Sequence, residues 1–196
     1  MHPIETFAET LIARLRRLQG QIPLPANGQV FLEGLWGSFD AEQAVLSGSY
    51  EAGDGALLKL AITAEKPGRW CTLALMLGEG TLDEGDVVGL VADLRSSRPA
   101  SLTLCLRSML GGSNRDVVFD DGFVLTPEGG AQVALLRVPQ GSVLCAPDQR
   151  LVLLLELPQT DLEIVIQDLR LFVVPALDAL ADPEAVSAPP VVPHDG

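Results

Sequence analysis

Two tryptophans stand where a flat ring could meet a ligand. Trp36 lies in Leu35-Trp-Gly-Ser-Phe39, in a loop position after an apolar run, and Trp70 opens another run behind Pro67-Gly-Arg69. A flat aromatic face offers apolar contact and a polarised surface for C–H groups. Hydrogen-bonding neighbours would complete a site for a polyhydroxylated ring. Tyr50, Arg107 and Asn114 are the residues that could join such a site, near the Gly111-Gly112 loop. Each has a plainer reading beside this one. The tryptophans also suit core or rim packing, and the other three are ordinary surface types.

Other chemistries find less support. The only histidines are His2 and His194, at the two ends of the chain. A Ser or Cys nucleophile needs an imidazole held inside the fold, so a catalytic triad is not expected. Cys71, Cys105 and Cys145 are widely separated, without the paired spacing of a zinc site. They read as buried, reduced thiols of a reducing compartment. Glycoside hydrolysis needs two carboxylates roughly 5 to 10 Å apart. Asp83, Glu84 and Asp86 form one acidic cluster and Asp120 with Asp121 another, but acids beside glycine read first as solvated turns. Calcium needs several oxygens on a bending backbone. These same clusters are candidates, as are Glu33 near the first strand and Asp168 on the last, if the fold brings those two together.

These residues must be positioned by strands. Some ten short apolar runs follow one another, at 29–35, 43–50, 56–63, 70–77, 86–94, 101–107, 116–126, 131–138, 150–157 and 162–174, bounded mostly by Gly, Pro, Asp or Ser. Segments such as Ser101-Leu-Thr-Leu-Cys-Leu-Arg107 alternate with period two, which puts one face in a core and one in water. Strands this close, with no helical pattern between them, predict an antiparallel sandwich. The last run changes phase at Gln167-Asp168, which predicts a bulge. Residues 4–19 make the one amphipathic helix, with Ile4, Phe7, Ala8, Leu11, Ile12, Leu15 and Leu18 on its stripe, which suits either packing on the chain's own sandwich or docking and oligomerisation. Residues 21–28 read as a Pro/Gly linker. Residues 176–196, rich in Pro, Ala and acids, read as a flexible, disordered tail. The expected fold is all-β: an antiparallel jelly-roll β-sandwich over 29–175, with an N-terminal amphipathic α-helix.

With 196 residues, 47% of them hydrophobic, the chain fits one domain with appendages. A net charge of −13 and a pI near 4.4 argue against nucleic acid and anionic membranes, which need clustered Lys and Arg. No apolar run approaches the roughly 18 residues of a membrane span. The start, Met1-His-Pro-Ile-Glu5, lacks the pattern of a signal peptide, so synthesis in the cytoplasm is the expectation.

The segments Trp70-Cys-Thr-Leu-Ala-Leu-Met-Leu77, Gly85-Asp-Val-Val-Gly-Leu-Val-Ala-Asp-Leu-Arg-Ser96, Ala100-Ser-Leu-Thr-Leu-Cys-Leu-Arg-Ser108 and Leu162-Glu-Ile-Val-Ile-Gln-Asp-Leu-Arg-Leu171 carry a resemblance. Together they resemble the carbohydrate-binding-module jelly rolls of the galactose-binding-like superfamily, over about half the chain. In that family an acidic or amide residue precedes the final apolar pair, and Asp168-Leu-Arg-Leu171 is similar. The resemblance implies a β-sandwich that binds sugars on a concave face or at loop tips. It also implies that Trp70 belongs to the core, and that a structural calcium is held in some relatives. Their binding faces are usually rich in Trp and Tyr, whereas this chain has two Trp and one Tyr.

The function expected from all this is a non-catalytic module that binds a polysaccharide or cell-surface glycan. The alternative is an assembly or attachment protein, such as a spike or decoration protein of a phage-like particle or gene transfer agent. Such a protein would dock on a partner or on itself through residues 4–19, and its particle would be released by lysis.

Overall fold

A computed structural model describes residues 1–23, 30–53 and 55–176. In chain order the elements are α1 (Pro3–Arg17), β1 (Gly20–Pro23), β2 (Val30–Leu32), β3 (Leu35–Phe39), β4 (Val45–Gly53), β5 (Ala56–Lys66), β6 (Cys71–Glu79), β7 (Val87–Ser96), β8 (Ala100–Leu110), β9 (Ser113–Val118), β10 (Phe123–Leu125), β11 (Gly130–Arg137), β12 (Arg150–Glu156) and β13 (Leu162–Val174). A 3-10 turn at Val143–Cys145 precedes β12. Among the described residues no helix is long and apolar enough to cross a membrane. The expected tail lies, from residue 177 on, outside the described residues, as does most of the expected linker.

The strands form two antiparallel sheets. One runs β1-β4-β5-β13-β7-β11, and the other β10-β8-β12-β6-β3-β2 with β9 also on β8. Inward-facing residues of both sheets make one core. In the second sheet Leu153 is registered between Leu75 and Leu106, and Leu155 between Leu73 and Leu104. From the first sheet Leu58, Leu60, Leu90, Leu94, Ile164 and Leu171 join them. The phase change in β13 is a bulge between Ile166 and Asp168. It lets Leu162, Ile164 and Ile166 on one side of the bulge, and Leu169 and Leu171 on the other, all face the core.

Three sequence expectations change. Residues 20–23, three of them assigned to a linker, are an edge strand paired with β4. The run at 116–126 is two strands, β9 and β10, on the same edge of β8. The third concerns α1. His2, at the start of the chain, caps this helix: its Nδ1 accepts from the Ile4 N–H, and the Glu5 carboxylate accepts from the His2 N–H. The other Glu5 oxygen accepts from the Val173 N–H at 2.7 Å, tying α1 to β13. Ile4, Ala8, Leu11, Ile12 and Leu15 are buried in the same core as the sheets. The stripe that docking through residues 4–19 requires is therefore covered by the chain's own sandwich.

Candidate binding groove

The seven-stranded sheet has an outer face that is not simply polar. On it Leu154 stands between Ala74 and Cys105, Val152 between Met76 and Arg107, and Glu156 between Thr72 and Thr103. Trp36 pairs across from Ala74, and Ser38 from Thr72. Asp116 and Asn114 of β9 sit opposite Arg107 and Met109 of β8. The result is a groove of about 500 Å³. Its floor is Ala74, Val152 and Leu154, and its walls carry Trp36, Trp70, Arg107, Met109 and Asn114. Ser38, Thr72 and Glu156 add hydroxyl and carboxylate groups.

Of the five candidate ligand residues, the fold brings four together: Trp36, Trp70, Arg107 and Asn114. Trp36 is in strand β3 rather than a loop, because Gly34, with φ of 91°, turns the chain into a β2–β3 hairpin. Trp70 is 36% exposed at the head of β6 and does not belong to the core. Tyr50 falls away from the group. It is 2% exposed between the sheets, edge-on to Phe31, and its ring fills the space that a Cβ on Gly37 would need. Burial pushes its phenol above the ordinary range.

Fixed contacts orient the polar walls. Arg107 donates to both oxygens of Asp116, at 2.7 and 2.8 Å. That hydrogen-bonded carboxylate keeps the guanidinium charged. Trp70 Nε1 donates to Ser38 Oγ at 3.4 Å, and the Arg69 guanidinium lies 4.8 Å from the Trp70 ring centre. Arg69 is itself held by Asp40, a buried carboxylate that accepts from the Arg69 backbone N–H, Nε and Nη2. Cys105, beside the floor, has its thiol raised to about 11, by burial first and by Glu156 and Asp116 next, which favours the neutral thiol over the thiolate. Sequence reasoning missed Asp40, Ser38, Thr72, Met109 and Glu156. The signal for the last four was their outward parity on alternating strands, usable only once register is known.

The first acidic cluster is tied into the fold. Asp86 is buried, and its carboxylate accepts from the backbone N–H groups of Asp83 and Ala176, each at 2.9 Å. Glu84 accepts from the Gly141 N–H. Asp120 and Asp121 are exposed in the turn before β10. The proposed calcium pair does not form. Glu33 faces Arg14 at 3.5 Å, whereas Asp168 accepts from Arg16 and Arg170. Burial alone would raise the Asp168 carboxyl, but the bonds from Arg170 and Arg16 outweigh it and hold the group below its usual range. Two guanidinium groups already balance the charge of that carboxylate. Among the described residues no three His, Cys, Asp or Glu side chains cluster as metal ligands.

A carbohydrate-binding module described as "CBM4 structure and function" aligns with the fold at a TM-score of 0.57, with 14% identity over 78% of this chain and 95% of that one. The jelly roll resembles those of carbohydrate-binding modules. The CBM22-1 xylan-binding domain of Paenibacillus barcinonensis Xyn10C aligns at a TM-score of 0.46, with 16% identity over 81% of this chain and 99% of that one. The N-terminal cellulose-binding domain of Cellulomonas fimi β-1,4-glucanase C aligns at 0.43, with 17% identity over 69% and 93%. No protein-family model and no curated protein matches the sequence. Identity this low speaks for the fold and assigns no residue of the jelly roll a role.

Proposed function

We propose that the groove binds a glycan chain and that the protein is a non-catalytic carbohydrate-binding module. The observation that supports this is the meeting of Trp36 and Trp70, far apart in sequence, on one outer sheet face beside hydroxyl, amide and charged groups. A sugar ring has an apolar C–H face and a hydroxyl rim. Indole rings and an aliphatic floor suit the first; Ser38, Thr72, Asn114, Arg107 and Glu156 suit the second. The charge around the groove favours an uncharged polysaccharide. Arg107 is already paired with Asp116, Arg69 with Asp40 and Glu42, and Glu156 adds a negative charge. A polyanionic glycan would also meet a chain of net charge −13.

The test is affinity electrophoresis in soluble glucan, xylan and mannan, with tryptophan fluorescence on the same polymers. Retardation in at least one polymer is expected, with a shift in Trp emission. Trp36→Ala and Trp70→Ala should each weaken binding roughly tenfold, the size of one lost aromatic contact. Wild-type mobility that no polymer alters would end the proposal. The assembly reading through residues 4–19 has weaker support, because the stripe it relies on is buried.

A further inference from the structure

A second depression lies beside the groove, at α1. Trp36 and Met76 both pack on the cluster of Ala74, Cys105, Val152 and Leu154 that forms its floor. Met76 is also a wall of a second depression, of about 440 Å³, lined by Pro3, Phe7, Gly78, Glu79 and Arg150. Phe7 comes from α1, outside the sandwich. Its ring rests on the bare backbone of Gly78, where a Cβ would come within 2.6 Å of it. Gly78 has φ of 81° and lies beside the β6–β12 bulge. The core takes Ile4, Ala8, Leu11, Ile12 and Leu15 from this helix, yet Phe7 is 50% exposed. From Thr72 past Ala74 and Met76 to Gly78 the strand covers ~20 Å. Glu79 and Arg150, 3.6 Å apart, supply a charged edge at the far end.

We infer that Phe7 is a third aromatic platform of the groove, so that a bound glycan runs along the strands from Trp70 over Trp36 to α1. This rests on the glycan reading above and extends it: the ligand is a chain several residues long, and the helix recognises part of it. An exposed aromatic ring seated on glycine, beside Met76 that packs on the same apolar cluster as Trp36, is the arrangement that carries the inference.

The experiment titrates the full chain with the trimer and the hexamer of β-1,4-linked glucose, xylose and mannose. For the series that binds, the hexamer binds more tightly than the trimer. Phe7→Ala weakens hexamer binding roughly five- to tenfold, the worth of one aromatic contact, and leaves the trimer unchanged. Phe7→Trp restores the hexamer. Phe7→Leu, which keeps an apolar cover over Gly78 without the ring, repeats the loss seen with alanine. If Phe7→Ala leaves the hexamer unchanged while Trp36→Ala removes it, the groove stands and its extension onto α1 is overturned. If wild-type protein binds no hexamer and no polysaccharide, the glycan reading falls and the extension falls with it. Equal melting temperatures of Phe7→Ala and wild type assign the loss to contact rather than to folding.

Discussion

Trp70 is aimed by a buried carboxylate that never touches the groove. Asp40 accepts three hydrogen bonds from Arg69, and its backbone N–H donates to the Trp70 carbonyl. The side-chain bond from Arg69 is the main cause that takes the Asp40 carboxyl from 3.8 to about 2. A carboxyl depressed on folding stabilises the protein fully above its unfolded value, and that contribution is lost as pH falls through the folded value. Asp40→Asn should therefore melt at a lower temperature than wild type at pH 7. The gap should close between about pH 4 and pH 2, as protonation removes the wild-type advantage. Parallel melting curves across that window would refute the assignment. The thiols give a second residue-scale prediction. Burial raises Cys71 and Cys105 to about 11, whereas Cys145 is the one thiol that is not fully buried. A thiol reagent at pH 8 should modify Cys145 first in native protein and all three only after denaturation. Prompt labelling of Cys105 would show that the groove floor is open to solvent.

At the scale of elements, α1 is part of the core rather than an appendage. It packs on β4, β5, β6 and β13, strands of both sheets, and Leu11 lies against Gly34 at the β2–β3 turn. Ile4→Ala or Leu11→Ala should cost about 2–5 kcal/mol, the usual loss for a fully buried aliphatic side chain. Glu9→Ala on the exposed side should change stability by less than about 0.5 kcal/mol. Urea denaturation separates the two cases. Equal, small effects at all three positions would mean that the helix face is not buried. The salt links at Arg16, Asp168 and Arg170 sit on the surface, so each contributes little beside this apolar face.

For the whole molecule, the sandwich and α1 behave as one folding unit. Deleting residues 1–19 would uncover the ends of both sheets where Ile4, Leu11 and Leu15 now pack. The expected outcome is loss of a cooperative thermal transition and aggregation. A well-folded shorter protein of lower oligomeric state would instead restore the docking role of the helix. Differential scanning calorimetry with size exclusion distinguishes these outcomes.

The alternation of apolar residues was enough to read most strands, the sandwich class and the bulge at Gln167, because period two is a property of consecutive residues. The helix was legible for the same reason, from Ile4, Ala8, Leu11 and Leu15 at helical spacing. The position of both histidines near the chain ends made triad chemistry an unfavoured expectation, although the fold holds His2 as the cap of α1. Which side chains share a surface was not legible, because register joins residues that the chain keeps apart. Trp36 and Trp70 meet only because β3 pairs with β6. Tyr50 leaves them because β4 turns it inward over Gly37. Asp168 and Glu33 each find an arginine of α1 instead of each other. The groove floor was hidden as well. Its residues make β12 apolar on both faces, so in sequence it reads as an ordinary buried strand. The sequence determined the elements through local periodicity; tertiary pairing alone decided which face would be a core and which a groove.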